Sequence, residues 1–166
     1  MKYALTLLFI VQLFASCSSQ NGISKAKAYV RQKIAGTIPV DDNGRPRQSG
    51  VSEEHLVFVE TDSAKPAPVF ATAWVKQKPY AVRPVQIPQP AQPIGKTTAG
   101  KEIILAPKAG HTLWQLVLMP TNESTAKASL TEKILQNQFV LTGTWQGKDF
   151  VYAFNKEERL EPLQFQ

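Results

Sequence analysis

The chain has 166 residues, 43% of them hydrophobic, and a single cysteine. That suits one domain built around one hydrophobic core, and it excludes a disulfide framework within the chain. Lys and Arg outnumber Asp and Glu by 19 to 13, but the cations are scattered (Lys25, Lys27, Arg31, Lys33, then Arg45, Arg47, then Lys76, Lys78, Arg83), without the dense block or aromatic interleaving that tracking a phosphate backbone needs. Nucleic acid is therefore not an expected partner.

The chain opens on a short basic start (Met1, Lys2), an apolar run from Tyr3 to Leu13, small residues at Ala15 and Ser16, and then Cys17. The run falls well short of the roughly twenty residues that span a bilayer, so it reads as an export signal and not as a transmembrane helix. Leu13-Phe14-Ala15-Ser16-Cys17 resembles the lipobox of bacterial envelope lipoproteins, in which a peptidase cuts before a lipid-bearing cysteine. The resemblance covers Met1 to Cys17 and departs from the commonest pattern at Phe14, where Leu is usual. It implies residues 1–16 as a signal peptide, 17–22 as lipidated cysteine and polar tether, and a membrane anchor at Cys17. By the sorting rule of enteric bacteria, Ser18 implies the outer membrane; with no acidic run after Cys17, the expected orientation is towards the periplasm. The competing reading is a secretory signal cut after the small-x-small pattern Ala15-Ser16-Cys17.

The domain is expected over residues 23–166. From Ser24 to Ile34 small and apolar residues fall mainly on even positions, which is strand alternation, although Ser24 and Gly36 would also cap a helix. Strand is preferred because the alternation continues through Ile38 to Val40. Asp41-Asp42-Asn43-Gly44-Arg45-Pro46 reads as turn chemistry and not as a calcium loop, since a cation stands where a ligand should be. His55 to Thr61 and Val69 to Val75 are β-branched and aromatic runs expected as strands, the second turning back as a hairpin through Lys76-Gln77 towards Tyr80. The proline-dense stretch Pro84 to Pro93 reads as an extended connector or an edge crossing over the domain.

Ile103 to Leu105 and Thr112 to Met119 are further expected strands. Thr121 to Ser129 reads as a polar loop, and Ser129-x-x-Glu132 as the cap of one short helix. Phe139 to Trp145 and Lys148 to Phe154 form a second hairpin about Gln146-Gly147. The two hairpins share a Trp, a Lys and an aromatic (Trp74, Lys78, Tyr80; Trp145, Lys148, Phe150), but unequal spacing favours independent hairpins over duplication.

Few residues invite catalytic chemistry. Gly95 to Lys101 satisfies G-x-x-x-x-G-K, yet Glu102 follows where a P-loop needs Ser or Thr, so a polar loop is expected. His55 and His111 lack metal-ligand spacing. No nucleophile-elbow serine is apparent, and an acylated Cys17 is no nucleophile. Asp41, Asp42, Glu53, Glu54, Asp62 and Asp149 supply carboxylates for glycoside hydrolysis, but nothing selects a pair. Asn122-Glu123-Ser124 fits the N-x-[ST] sequon, which is read in eukaryotic secretion and carries no expectation here. Asp62-Ser63-Ala64 resembles the acceptor of envelope O-glycosylation in some Gram-negative bacteria, making Ser63 a candidate.

The expected fold is a single mainly β domain, an antiparallel β-sandwich or small β-barrel-like domain with at most one short helix. The expected function is non-catalytic: a lipid-anchored protein, without cofactor, that binds an envelope protein or glycan through exposed members of Trp74, Tyr80, Trp114, Trp145 and Tyr152. The alternative is a carboxylate-dependent hydrolase of cell-wall or glycan material, or an inhibitor of such a hydrolase.

Overall fold

A computed structural model describes residues 22–37, 39–46, 50–88, 92–122 and 128–165. The leader, Cys17 and residues 18–21 of the tether lie outside the described residues, as do Ile38, residues 89–91 of the proline-dense stretch and residues 123–127 of the polar loop. The segment compatible with both helix and strand is a strand, β1 (Ile23–Ala35). It pairs antiparallel with β2 (Val51–Asp62) in a register that sets Ala26 against Val59, Ala28 against Val57 and Val30 against His55. Alternation therefore puts those residues on one face and Lys25, Lys27, Tyr29, Arg31 and Lys33 on the other.

β3 (Val69–Val75) and β4 (Lys78–Gln86) form the first hairpin. The small sheet of β5 (Gln92–Lys96) and β6 (Glu102–Leu105) follows, then β7 (His111–Pro120) and α1 (Ala128–Gln136). β8 (Phe139–Trp145) and β9 (Lys148–Phe154) make the second hairpin, before two short strands, β10 (Glu157–Arg159) and β11 (Leu163–Phe165). The main sheet runs β10-β1-β2-β7-β4-β3-β8-β9, with β11 also on β1. It is mixed, because β10 and β11 both lie parallel to β1. The domain is thus mainly β, with one helix among the described residues, and its sheet curls into a half-barrel.

The curl follows from connectivity. β9 and β10 stand at opposite ends of the strand order, yet only Asn155 and Lys156 separate them, a link that reaches at most about 11 Å. The edges must therefore approach one another. The concave face carries the main core, including Ala28, Val57, Val59, Ala73, Val75, Leu116, Phe139 and Leu141; each fully buried Val, Leu or Phe contributes roughly 1.5–3 kcal/mol. Phe139 stacks on Phe154, with ring centroids 4.9 Å apart, and the Phe70 and Phe150 rings meet edge-on.

The convex face has two covers. The β5–β6 sheet lays Ile103 and Leu105 over Tyr29, Leu56, Phe58 and Leu113, and α1 lays Ile134 and Leu130 over Trp74 and Val140. Ser129 lies in the first turn of α1 instead of capping it, and Asn137 closes the other end by donating Nδ2–H to the Lys133 carbonyl at 2.9 Å.

Three local features depart from simple alternation. Bulges between Ile23 and Lys25 and between Phe70 and Thr72 reverse the phase, so Ile23 and Phe70 join the same core as Ala28 and Ala73. The strand β4 continues through Pro84 to Gln86, so the proline-dense stretch begins as strand paired on one side and not as a connector. Proline is tolerated there because β4 pairs with β3 only over Lys78–Ala81, leaving β7 as the sole neighbour at Pro84. Gly143 is needed where β8 approaches the β3 bulge, since a Cβ on it would lie 2.0 Å from the Val69 carbonyl oxygen.

Candidate functional site

Register defines two ends of the half-barrel. At one end Ile23 lies opposite Thr61, Thr61 opposite Thr112, and Val69 opposite Thr144. This is the tether end, because Gly22 leads into it. Gly22 is buried, with φ of 71°, and a Cβ there would meet the Trp145 indole at 2.6 Å. Trp145 donates its Nε1–H to the Pro66 carbonyl at 2.9 Å. The start of β1 is thus clamped beneath an indole fixed by the loop between β2 and β3.

Of the five aromatic contact candidates, Trp74 is buried at 7% exposure beneath α1. Tyr80, Trp114, Trp145 and Tyr152 are partly buried and pack against the concave core. Trp114 donates Nε1–H to Thr61 Oγ1 at 3.0 Å. Tyr152 lies against the backbone of Ala26 across the seam; burial raises its pKa, partly offset by that backbone hydrogen bond. Trp145 and Tyr152 therefore help bridge the edges of the curled sheet.

Tyr80 differs in lining a groove. β2 pairs with β7 from Val57 onward, whereas Val51–Leu56 pair with β1 alone and Val117–Pro120 with β4 alone. The two strands diverge there, at the end away from the tether. The resulting groove is about 300 Å³ and is lined by Ser52, Glu53, Glu54, His55, Tyr80 and Pro120, among others. Arg31 Nε donates to Glu54 at 2.6 Å, and Lys33 Nζ lies 2.5 Å from its other oxygen. Burial raises the Glu54 pKa, but these two cations outweigh it and hold the carboxyl below the ordinary range.

The histidines occupy different sites. His55 Nδ1 hydrogen-bonds Glu157 Oε1 at 2.8 Å, and Lys76 Nζ reaches the other oxygen at 3.0 Å. Burial raises the Glu157 pKa, but His55 and Lys76 together keep it low. This cluster ties β10 to β2 and to the β3–β4 turn. No spacing in the sequence announces it, because His55 and Glu157 are 102 residues apart. His111 stands opposite Asp62, seven residues along β2 from His55 or about 23 Å away. Its Nδ1 is 3.7 Å from Glu60, beyond hydrogen-bond reach.

Among the other candidate carboxylates, Glu53, Asp41 and Asp62 each have separate local partners. Glu53 faces Arg159 at 3.8 Å, while Asp41 accepts the Asn43 and Arg45 N–H groups in the expected turn. Asp62 accepts the Ala64 N–H, which with Lys65 holds its carboxyl low despite some desolvation. Ser63 is exposed, as a modification site requires, but donates its hydroxyl to the Gly110 carbonyl at 2.7 Å. Gly95 to Lys101 belongs to the β5–β6 hairpin, whose tip closes through Thr97 N–H to Lys101 O and Gly100 N–H to Thr97 O. The polar loop expected there is this ordered turn, and a strand follows it instead of the P-loop's helix.

The two hairpins use the same turn geometry. Lys76 and Gln77 have φ of 49° and 71°, Gln146 and Gly147 of 51° and 74°, as type I′ turns require. When the turns are superposed, Lys78 coincides with Lys148 and Tyr80 with Phe150, whereas Trp74 and Trp145 fall one position apart and on opposite faces. No protein-family model, curated protein or solved structure matches this chain.

Proposed function

We propose that this chain is a lipid-anchored envelope protein, held at Cys17 to the outer membrane and facing the periplasm, with a non-catalytic binding or structural role towards an envelope protein or glycan. The observation that carries this reading is the opposition between tether and groove. Gly22 enters the domain at one end, five residues after Cys17, a tether that reaches at most about 18 Å. The groove lined by Tyr80 opens at the other end, where β2 and β7 separate. A short anchor at one end with unpaired stretches of strand at the other suits a module that presents a docking surface away from its membrane.

Two further observations support a binding role over hydrolysis. The concave interior is filled by apolar side chains, and Glu53 and Glu54, the candidate acids that line the groove, are engaged by Arg159, Arg31 and Lys33. The test is in-cell photo-crosslinking of the full-length chain with the reactive residue at Tyr80, compared with the exposed Val151. A reproducible adduct at Tyr80 alone is expected. Adducts at neither position, or at both equally, would remove the groove from the proposal, and release of glycan fragments by the purified chain would refute a non-catalytic role. The anchor is tested separately by fatty-acid labelling of Cys17→Ala, in which persistence of label would sink it.

A further inference from the structure

A second groove runs along the outside of β1, beginning next to the tether. Lys25 and Lys27 project from the convex face of β1, β10 contributes Glu158 with Lys156 just before it, and Lys101 enters from just before β6, whose first residue, Glu102, joins it. Together with Ile103 and Ile104 they enclose about 350 Å³. The floor is apolar and fixed, with Tyr29 at 3% and Ile103 at 7% exposure, while Ile104 stands at the rim, 56% exposed.

The charge around this groove is unbalanced. Lys156 engages Glu158 at 3.3 Å, but among the described residues Lys25, Lys27 and Lys101 have no carboxylate partner. Glu60, directly across from Lys25 in register, accepts the Lys108 N–H and faces His111. Glu102 also lines the trough, so beside the Lys156–Glu158 pair three ammonium groups face one carboxylate, and the remaining positive excess favours an anion seated among them. The exposed Ile104 adds an apolar contact that a bare phosphate does not use but the glycerol and upper acyl carbons of a phospholipid do. Position favours the same ligand. Lys25 follows Gly22 by three residues on a continuous strand, so an anchor at Cys17 brings this edge of the domain to the headgroup layer.

We infer that the groove formed by Lys25, Lys27, Lys101 and Ile104 seats the phosphate-bearing headgroup of an anionic phospholipid in the leaflet that holds the anchor. The inference rests on the anchored reading of Cys17. It gives the basic residues near the tether a specific task, which is to hold the tether end of β1 against the bilayer while the Tyr80 groove, at the other end, points away. Each lysine beside an anionic surface is worth about fivefold in membrane partitioning, and the contact weakens with salt.

The test is amine-reactive labelling, read by mass spectrometry, of the processed protein in vesicles of phosphatidylcholine alone or mixed with phosphatidylglycerol. The anionic lipid is expected to slow labelling of Lys25, Lys27 and Lys101 about fivefold and to leave the exposed Lys78 and Lys133 unchanged; high salt is expected to reverse the effect. Equal labelling in both vesicles, or equal slowing of all five lysines, overturns the inference. Equal protection by soluble glycerol phosphate without vesicles also overturns it, in favour of a free phosphate or glycan-phosphate site. The anchor itself is judged by flotation on pure phosphatidylcholine vesicles. A chain that does not float refutes the anchor alone, and the groove then stands or falls on whether excess anionic vesicles slow the same three lysines.

Discussion

Replacing Gly22 with Ala tests the seat of the tether junction. The residue has φ of 71°, and an L side chain in that region costs roughly 1–2 kcal/mol. The new methyl would also lie 2.6 Å from Trp145 Nε1 and 2.9 Å from two ring carbons, so the indole must move. Its hydrogen bond to the Pro66 carbonyl, worth about 1 kcal/mol, is then lost, along with part of its packing on the concave core, about 1 kcal/mol more. The expected destabilisation is therefore about 3–4 kcal/mol, or about 10 °C in Tm for a chain of this size. Gly147→Ala is the matched control, because its φ is 74° and nothing lies within 4 Å of its Cβ position. It should cost only the backbone share, roughly 1–2 kcal/mol. Urea unfolding followed by circular dichroism measures both. In a Trp145→Ala background the cost of Gly22→Ala should fall to that of Gly147→Ala. Equal costs for the two glycines in the native background, or an undiminished Gly22 cost without Trp145, would refute the clamp.

Gly143→Ala should cost about 3 kcal/mol, at the upper end for overpacking, because the Val69 carbonyl stands 2.0 Å from the new carbon and belongs to paired backbone; an unchanged urea midpoint would contradict this. Glu157 has a depressed folded-state pKa, so its pairing stabilises the fold above the ordinary carboxylate range and is lost as pH falls through the folded value. Glu157→Gln should cost about 2 kcal/mol at pH 7, a figure reduced for the half-exposed Lys76. It should also flatten the acid limb of stability against pH, leaving the contributions of Glu54 and Asp62, and a variant whose acid limb matches the parent would disprove the network.

Much of the strand content is legible without coordinates, because a strand's alternation and a two-residue turn are local properties. The second hairpin is readable to the residue, with Phe139–Trp145 and Lys148–Phe154 flanking Gln146-Gly147, and Val69–Val75 likewise. Pro84 obscured the rest of β4, because the permissibility of proline depends on how many neighbours a strand has, which is a fact of the sheet. The bulges that bring Ile23 and Phe70 into the core are hidden for the same reason.

By itself the sequence determined the β class, both hairpins, the one helix and the lipobox-like segment ending at Cys17, all written in spacings of a few residues. Tertiary structure decided what those elements do to one another. The two-residue link from β9 to β10 curls the sheet, and the curl sets Trp145 on Gly22 and joins His55 to Glu157. It also leaves Tyr80 beside the gap between β2 and β7 and gathers Lys25, Lys27 and Lys101 around one groove. These juxtapositions unite residues tens to more than a hundred positions apart, and chain closure and packing, not local preference, select them.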